Sequence, residues 1–211
     1  MKGILFALCA LLVGCDSGQN PVAVPITTSY AVPNPPVVQA KLIVFMGDSI
    51  TAYWPVDSYF PGSVDEGIGG QVTAQMLARF DTDVLSQHPT VVVILGGTND
   101  ILNLHVADPV NIFAMVQAAE AAGARVIVGM PPPPPDLPSV TPDDRAMYRQ
   151  FNDQLAYGAG VYGYQVADYY DAMTLPDGSQ NAALFQTGSV HPNSAGYDVM
   201  ASVLRPLLQA D

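Results

Sequence analysis

Two residues far apart in the chain, Ser49 and His191, have side chains that together can carry out nucleophilic catalysis. Ser49 closes the segment KLIVFMGDS, where an apolar run gives way to glycine and aspartate, so a tight turn can present its hydroxyl to a cleft. His191 lies in GSVHPNSAGYDVM (188–200), which is typical of a loop that leads into a helix. A serine hydroxyl whose proton passes to an imidazole can attack an acyl carbon. The pair predicts a hydrolytic site if the fold brings the two side chains together.

Two other segments offer groups that can stabilise an oxyanion. Gly70 ends GIGG (67–70), and a glycine permits the close backbone approach that lets an N–H donate to a developing negative charge. Asn99 lies in GGTND (96–100), where its side-chain amide can donate from a rigid position. Ordinary turn and capping roles explain each residue equally well when it is taken alone.

The remaining histidines do not suggest a metal centre. His88 lies in the turn before a predicted strand, and His105 follows Asn99 closely enough to lie near a substrate, but no upstream residue positions it as a base. No two histidines share ligand spacing with an acid or a free cysteine. We therefore expect no metal site, and nucleophilic catalysis by a serine and a histidine needs no other cofactor.

The elements that must position these residues alternate along the chain. Five short apolar runs predict strands, at 41–46, 63–68, 90–95, 125–130 and 164–169. Helical patterns lie between them, with Asp108-Pro109 and Thr141-Pro142 as start signals, and the last helix begins near 193 or 194 with Tyr197, Met200, Leu204 and Leu207 on its apolar face. This alternation predicts an α/β fold with a parallel sheet covered on both faces. Ligands of such sheets bind beyond the carboxyl ends of the strands, where Ser49, Gly70 and Asn99 fall.

Four motifs together resemble the conserved blocks of the SGNH, or GDSL-type, hydrolases. These are GDSI (47–50), GIGG (67–70), GGTND (96–100) and HPNSAGY (191–197), in the family's order. The resemblance spans the chain from about residue 41 to its C-terminus. It implies a three-layer α/β/α flavodoxin-like sandwich with a five-stranded parallel sheet and a serine esterase that works through an acyl-enzyme. By the same resemblance Ser49 is the nucleophile, His191 is the general base, and the Ser49 N–H, the Gly70 N–H and the Asn99 amide form the oxyanion hole.

One position departs from that family pattern. The family has Asp-x-x-His in its last block, whereas this chain has Gly188 three residues before His191. In well-studied triads, loss of the acid lowers turnover by about ten-thousand-fold. Three interpretations are open: a Ser–His dyad in which a backbone carbonyl or the Ser189 hydroxyl orients the ring, an acid recruited from elsewhere with Asp177 as the nearest candidate, or a protein of weak activity that acts by binding.

The substrate class is only outlined by the sequence. Tyr53 and Trp54 follow the nucleophile, and with the proline run at 131–135 they suggest an apolar rim suited to short acyl or aryl esters, or to a lysophospholipid. The alternatives are a carbohydrate acetylesterase and a lipid-anchored binding or assembly protein that keeps a hydrolase fold.

The N-terminal region resembles that of a bacterial lipoprotein. Residues 1–14 combine Lys2 with an uncharged, mostly apolar run, as in a signal peptide, and Leu12-Val13-Gly14-Cys15 is similar to a lipobox. We expect Cys15 to carry the lipid, residues 15–40 to form a proline-rich tether, and residues 41–211 to form the hydrolase domain. The predicted location is extracytoplasmic, on the periplasmic side of a bacterial membrane.

Charge excludes one class of partner. The chain has 211 residues with 19 acidic and 7 basic side chains, for a formal net charge of −12. Such a surface repels polyanions, so we expect no nucleic-acid binding and a small ester as the ligand.

Overall fold

A computed structural model describes residues 41–209, so the predicted signal peptide, Cys15 and all of the tether lie outside the described residues. The strands are β1 (Ile43–Gly47), β2 (Val64–Gly67), β3 (Val91–Leu95), β4 (Arg125–Met130) and β5 (Gln165–Asp168). The helices are α1 (Ser49–Ala52), α2 (Val56–Tyr59), α3 (Thr73–Asp83), α4 (Thr98–Leu104), α5 (Val110–Ala121), α6 (Pro142–Tyr162), α7 (Tyr169–Ala172) and α8 (Ser194–Gln209).

The five strands form one parallel sheet in the order β2-β1-β3-β4-β5. This confirms the predicted α/β class, and the order is that of a flavodoxin-like fold. The chain reverses its direction of winding at β1 and β3, and the crevice beyond these two strands is where such sheets bind ligands. Ser49 and Asn99 each lie just beyond one of them.

The sheet has helices on both faces, which gives three layers, and an apolar cluster lies between the sheet and the helices on each side. On one face α3, α5 and α6 pack against alternate strand residues, and the buried side chains include Met76, Phe80, Met115, Phe151 and Leu155. On the other face α1, α7 and α8 pack against the intervening strand residues, and the buried side chains include Phe45, Trp54, Tyr169, Met200 and Leu204. β3 is buried along its whole length because it is covered on both sides.

One local expectation needs adjustment. Leu208 rather than Leu207 completes the buried face of α8, because 11 residues from Tyr197 make three helical turns of about 3.6 residues each. Helices α1, α2, α4 and α7 are too short to show an apolar period in the sequence. Within residues 41–209 no helix has the length and apolar character needed to cross a membrane.

Candidate active site

Ser49 lies at the first position of α1, directly beyond β1. The Asp48 side chain caps this helix by accepting the Ile50 N–H at 2.9 Å. A Cβ at Gly47 would lie 1.9 Å from Thr51 Oγ1, so only glycine fits where the strand turns into the helix. An amide at the first position of a helix has no partner inside that helix, and the Ser49 N–H is therefore available to an oxyanion.

The structure brings His191 to Ser49. The His191 Nε2 atom is 2.8 Å from Ser49 Oγ, although 142 positions separate the two residues. The loop that carries the histidine is closed on itself, since the Gln186 N–H donates to the His191 carbonyl at 2.9 Å. Beyond it, the Asn193 side chain accepts the Gly196 N–H and fixes the start of α8. The hydroxyl and the imidazole thus have the distance that proton transfer requires.

Ser189 lies against the other ring nitrogen. Its Oγ is 2.9 Å from His191 Nδ1 and accepts the His191 backbone N–H at 3.0 Å. When Nδ1 carries the proton and donates it to Ser189, Nε2 is free to accept the proton of Ser49. This is the tautomer that a general base needs.

Asp177 and Gly188 do not supply a carboxylate to the ring. The Asp177 side chain accepts the N–H and the hydroxyl of Ser179, at 3.0 and 2.6 Å, inside an exposed turn. These two bonds lower the pKa of Asp177. Gly188 has a φ of +61°, a left-handed conformation that favours glycine.

The candidate oxyanion donors Gly70 and Asn99 lie on two loops that are joined near the nucleophile. A Cβ at Gly69 would lie 3.9 Å from Ser49 Cβ, so the loop containing Gly70 passes beside the nucleophile, and a φ of +77° explains why Gly70 is glycine. Asn99 Nδ2 donates to the Gln71 carbonyl at 2.9 Å, and this bond ties the two loops together.

Asp48 is a buried carboxyl group whose role the sequence does not reveal, because aspartate is also an ordinary turn residue. Asn99 Nδ2 is 3.4 Å from Asp48 Oδ2. Burial, opposed by the hydrogen bond from the Ile50 N–H and reinforced by the nearby Asp100, raises the pKa of Asp48 to about 7. The ionisation of this group therefore affects the Asn99 amide near neutral pH.

Gln180 is a second residue that sequence reasoning missed. Its side chain is buried, and Nε2 donates to the Pro133 carbonyl at 2.9 Å and to the Ser189 carbonyl at 3.2 Å. Gln180 thereby holds the loop of Ser189 and His191 against the proline run. It lies in an irregular segment with no periodicity, so no sequence signal marks it.

The apolar rim differs from the one expected. Trp54 is only 1% exposed and packs among aromatic rings of the core, and the prolines at 131–135 are buried as well. Tyr53 does lie on the rim, where it is 56% exposed and its ring centroid is 5.1 Å from that of His191. Both residues follow the end of α1 at Ala52, and in the turn they form one side chain lies on the surface while its neighbour lies in the core.

The other histidines lie outside this cluster. His105 Nδ1 is 3.1 Å from Asp144 Oδ1, which joins the end of α4 to the start of α6, and His88 is an exposed residue that ends a 3₁₀ turn. In the part of the chain that the structure describes, no group of three or more His, Cys, Asp or Glu is arranged to hold a metal ion.

Comparisons with known proteins agree with this fold. Residues 45–199 match the GDSL-like lipase/acylhydrolase family. The chain is similar to a GDSL-like lipase from Bacteroides thetaiotaomicron, with 29% identity, a TM-score of 0.73, and coverage of 80% of this chain and 88% of the lipase. An acetylxylan esterase from Geobacillus stearothermophilus shares the fold, with 21% identity, a TM-score of 0.66, and coverage of 82% of this chain and 95% of the esterase. A comparison with curated proteins gives no match.

Proposed function

Because the chain belongs to the GDSL-like lipase/acylhydrolase family, we propose that it is a serine esterase that hydrolyses carboxylic esters through an acyl-enzyme. The observation that carries this proposal is the 2.8 Å contact between Ser49 Oγ and His191 Nε2. Partial burial lowers the pKa of His191, so the ring is neutral and able to accept a proton at neutral pH.

The proposed reaction has two halves. Ser49 Oγ attacks the ester carbonyl while its proton passes to His191 Nε2, and the imidazolium then gives that proton to the departing alcohol. In the second half a water molecule attacks the acyl-enzyme, its proton passes to the same nitrogen, and the acid leaves as Ser49 regains its proton. During both halves Nδ1 keeps its hydrogen, which Ser189 Oγ accepts.

The oxyanion is proposed to bind to three donors, which are the Ser49 N–H, the Gly70 N–H and Asn99 Nδ2. Removing one such donor in other serine hydrolases costs about 10²- to 10³-fold in kcat. Asn99 Nδ2 donates one amide hydrogen to the Gln71 carbonyl and lies 3.4 Å from Asp48 Oδ2, so the substrate oxygen would compete with Asp48 for the second hydrogen.

We propose short acyl or aryl esters as the substrate class, with lysophospholipid as the larger variant. Three exposed apolar side chains lie near residues of the site: Tyr53 beside His191, Ile68 beside Gly69, and Leu137, whose Cδ2 would be 3.6 Å from a Cβ at Gly188. A carbohydrate acetylesterase is the narrower alternative, because acetylxylan esterases share the fold.

We also propose that the enzyme is attached to a bacterial membrane through Cys15 and faces the periplasm. Cys15 and the proline-rich stretch up to residue 40 support this proposal. Labelling cells with a radioactive fatty acid should mark the native protein and not a Cys15→Ser variant.

The competing function is a binding or assembly protein with weak turnover. The observation that favours it is the neutral Ser189 hydroxyl at the position where a triad has a carboxylate, because no negative charge stabilises the imidazolium.

Replacement of Ser49 by alanine decides between the two functions. The native protein should react with a fluorophosphonate probe and hydrolyse p-nitrophenyl acetate, and Ser49→Ala should lose both activities. Ser58→Ala is a matched control, because Ser58 is an exposed serine in α2 with no role in the site. Equal background labelling and hydrolysis in the native protein and in Ser49→Ala would refute the esterase and favour the binding protein.

A further inference from the structure

Arg79 lies in the middle of α3 and reaches the carboxyl ends of two strands. One of its terminal nitrogens, Nη2, donates to the Gly47 carbonyl at the end of β1, at 3.2 Å, and to the Glu66 carbonyl in β2, at 2.7 Å. The side chain of Arg79 is only 12% exposed, so solvent competes little for these bonds. Arg79 therefore joins the strand that leads to Ser49 to its neighbour, at the edge of the sheet where the site lies.

The same guanidinium holds the loop between β2 and α3, residues 68–72. Arg79 Nε donates to Gln71 Oε1 at 2.8 Å. The backbone carbonyl of Gln71 in turn accepts the Asn99 amide at 2.9 Å. Gln71 thus connects Arg79 to one of the proposed oxyanion donors, and Gly70, another of them, is the preceding residue in the chain.

The position of Gly70 depends on the hydrogen bonds of its neighbours. Gly70 is exposed, and within the described residues a Cβ there would meet no heavy atom within 4 Å, apart from those of its two chain neighbours. Backbone N–H groups anchor the two ends of the loop, that of Ile68 on the Gly47 carbonyl at 3.1 Å and that of Thr73 on the Asp100 carboxylate at 2.9 Å. The bond from Arg79 to Gln71 supports the stretch between these ends.

A guanidinium suits this set of acceptors better than any other side chain. It has five N–H donors in a fixed plane, so it can reach carbonyl groups from two strands and a loop at the same time. Its Nη1 donates to Asp83 Oδ2 at 3.1 Å, one turn further along α3, and this carboxylate balances the positive charge. Met76 and Phe80 are buried in the core on the same helix, so Arg79 projects from a rigid base.

We propose that Arg79 is a positioning residue of the oxyanion hole, and that it sets the places of the Gly70 N–H and the Asn99 amide relative to Ser49. It acts through Gln71 and through the carbonyl groups of β1 and β2. Donors that are displaced lose their hold on the transition state more than on the bound ester, so kcat should fall while KM stays nearly constant. This role rests on the proposed esterase function.

Replacement of Arg79 tests the role in the full chain, with p-nitrophenyl acetate as the substrate. Arg79→Met should lower kcat by about 10- to 100-fold and leave KM within about twofold, since removal of a whole donor costs about 10²- to 10³-fold. Arg79→Lys should recover part of the loss, because an ammonium group still donates but lacks the planar fork. Titration of Ser49 to completion with the fluorophosphonate probe counts the folded sites, so kcat is expressed per active molecule.

Gln71→Met tests the same link without disturbing the strands, and it serves if Arg79→Met does not fold. It removes the side-chain acceptor but keeps the backbone carbonyl that binds Asn99, and it should lower kcat by about three- to tenfold. Arg125→Met is the matched control. Arg125 donates to the Gln165 side chain and to the Leu207 carbonyl at the opposite edge of the sheet, so its loss should lower the melting temperature and leave kcat within about twofold.

Two measurements separate positioning from general stabilisation. When Asn99 is already alanine, the loss caused by Arg79→Met or Gln71→Met should shrink by about twofold or more, whereas independent effects multiply. The side-chain NMR signals of Asn99 should shift in Gln71→Met and not in Arg125→Met; this result needs no turnover, so failure of the esterase and failure of the positioning role are distinguishable. An unchanged kcat in Arg79→Met and Gln71→Met, a loss confined to KM, losses that multiply with Asn99→Ala, or unmoved Asn99 signals would overturn the proposal.

Discussion

Replacing Ser189 by alanine tests whether a neutral hydroxyl has taken over the part of the usual carboxylate. Ser189 Oγ is 2.9 Å from His191 Nδ1, and when the ring accepts the Ser49 proton this bond becomes charge-assisted. Hydrogen bonds to charged groups contribute about 1.5–3 kcal/mol, which corresponds to roughly 10- to 150-fold in rate. We therefore expect Ser189→Ala to lower kcat/KM by about one to two orders of magnitude. This is less than the loss of about ten-thousand-fold that follows removal of a triad acid, because the hydroxyl contributes no charge.

The assay is the hydrolysis of p-nitrophenyl acetate, with the melting temperature measured to show that each variant is folded. Ser179→Ala is the matched control, because that hydroxyl binds Asp177 and not the ring, and it should leave kcat/KM unchanged. Asp177→Asn should be equally neutral. If Ser189→Ala keeps its rate within twofold, or if Asp177→Asn loses a thousandfold, the hydroxyl does not orient His191.

Three further predictions concern titration and the loop. The acid limb of the pH profile of kcat/KM should have its midpoint below pH 6.5, because burial lowers the pKa of His191 from that value; a midpoint above 6.5 would indicate a nearby carboxylate. The Asp48 pKa rises from 3.8 to about 7 on folding, so the folded state loses roughly 4 kcal/mol as pH rises across that window; Asp48→Asn should gain stability over the native protein at pH 8 but not at pH 3.5, as urea denaturation can show. Gly188→Asp should lower the melting temperature, because its φ of +61° costs a side chain about 1–2 kcal/mol; the double variant Gly188→Asp/Ser189→Ala should turn over faster than Ser189→Ala alone, which steady-state kinetics can show.

The sheet and the strand ends could be predicted because their causes are local. A parallel strand that is buried on both faces needs a continuous apolar run. β3 has such a run, VVVIL, which would be unfavourable in an element that faces solvent. Once strands and helices alternate, handedness and burial leave few arrangements, so the carboxyl ends of β1 and β3 had to meet at one edge.

The rim could not be predicted because it depends on the conformation of the turn after α1 and on distant partners. Nothing in the order Tyr53-Trp54 says which ring faces the core, and the answer comes from the five aromatic rings within 6.2 Å of Trp54. The sequence suggested that the proline run is part of an apolar surface. In the structure the run is buried, and its Pro133 carbonyl accepts a hydrogen bond from Gln180, which lies 47 positions away.

The orientation of His191 could be predicted only in part. The glycine at position 188 indicates that the usual acid is missing, and Ser189 was one candidate for orienting the ring. Only the folded loop shows that Ser189 Oγ contacts both the backbone N–H and the Nδ1 atom of His191. A loop that closes on itself can orient the imidazole without a carboxylate, but it supplies no negative charge to stabilise the imidazolium.

The shifted pKa values of His191 and Asp48 both favour activity below neutral pH. Without a countercharge the burial of His191 is unopposed, so the ring stays neutral and able to act as a base below pH 6.5. The Asp48 carboxyl is protonated below about pH 7, and in that state it attracts the Asn99 amide less strongly and places no negative charge beside a developing oxyanion. As pH rises above 7, Asp48 ionises next to the oxyanion donors, while the base gains nothing because it is already deprotonated. We therefore infer that turnover is best in slightly acidic solution, and that the decline above pH 7 belongs to Asp48 and not to His191.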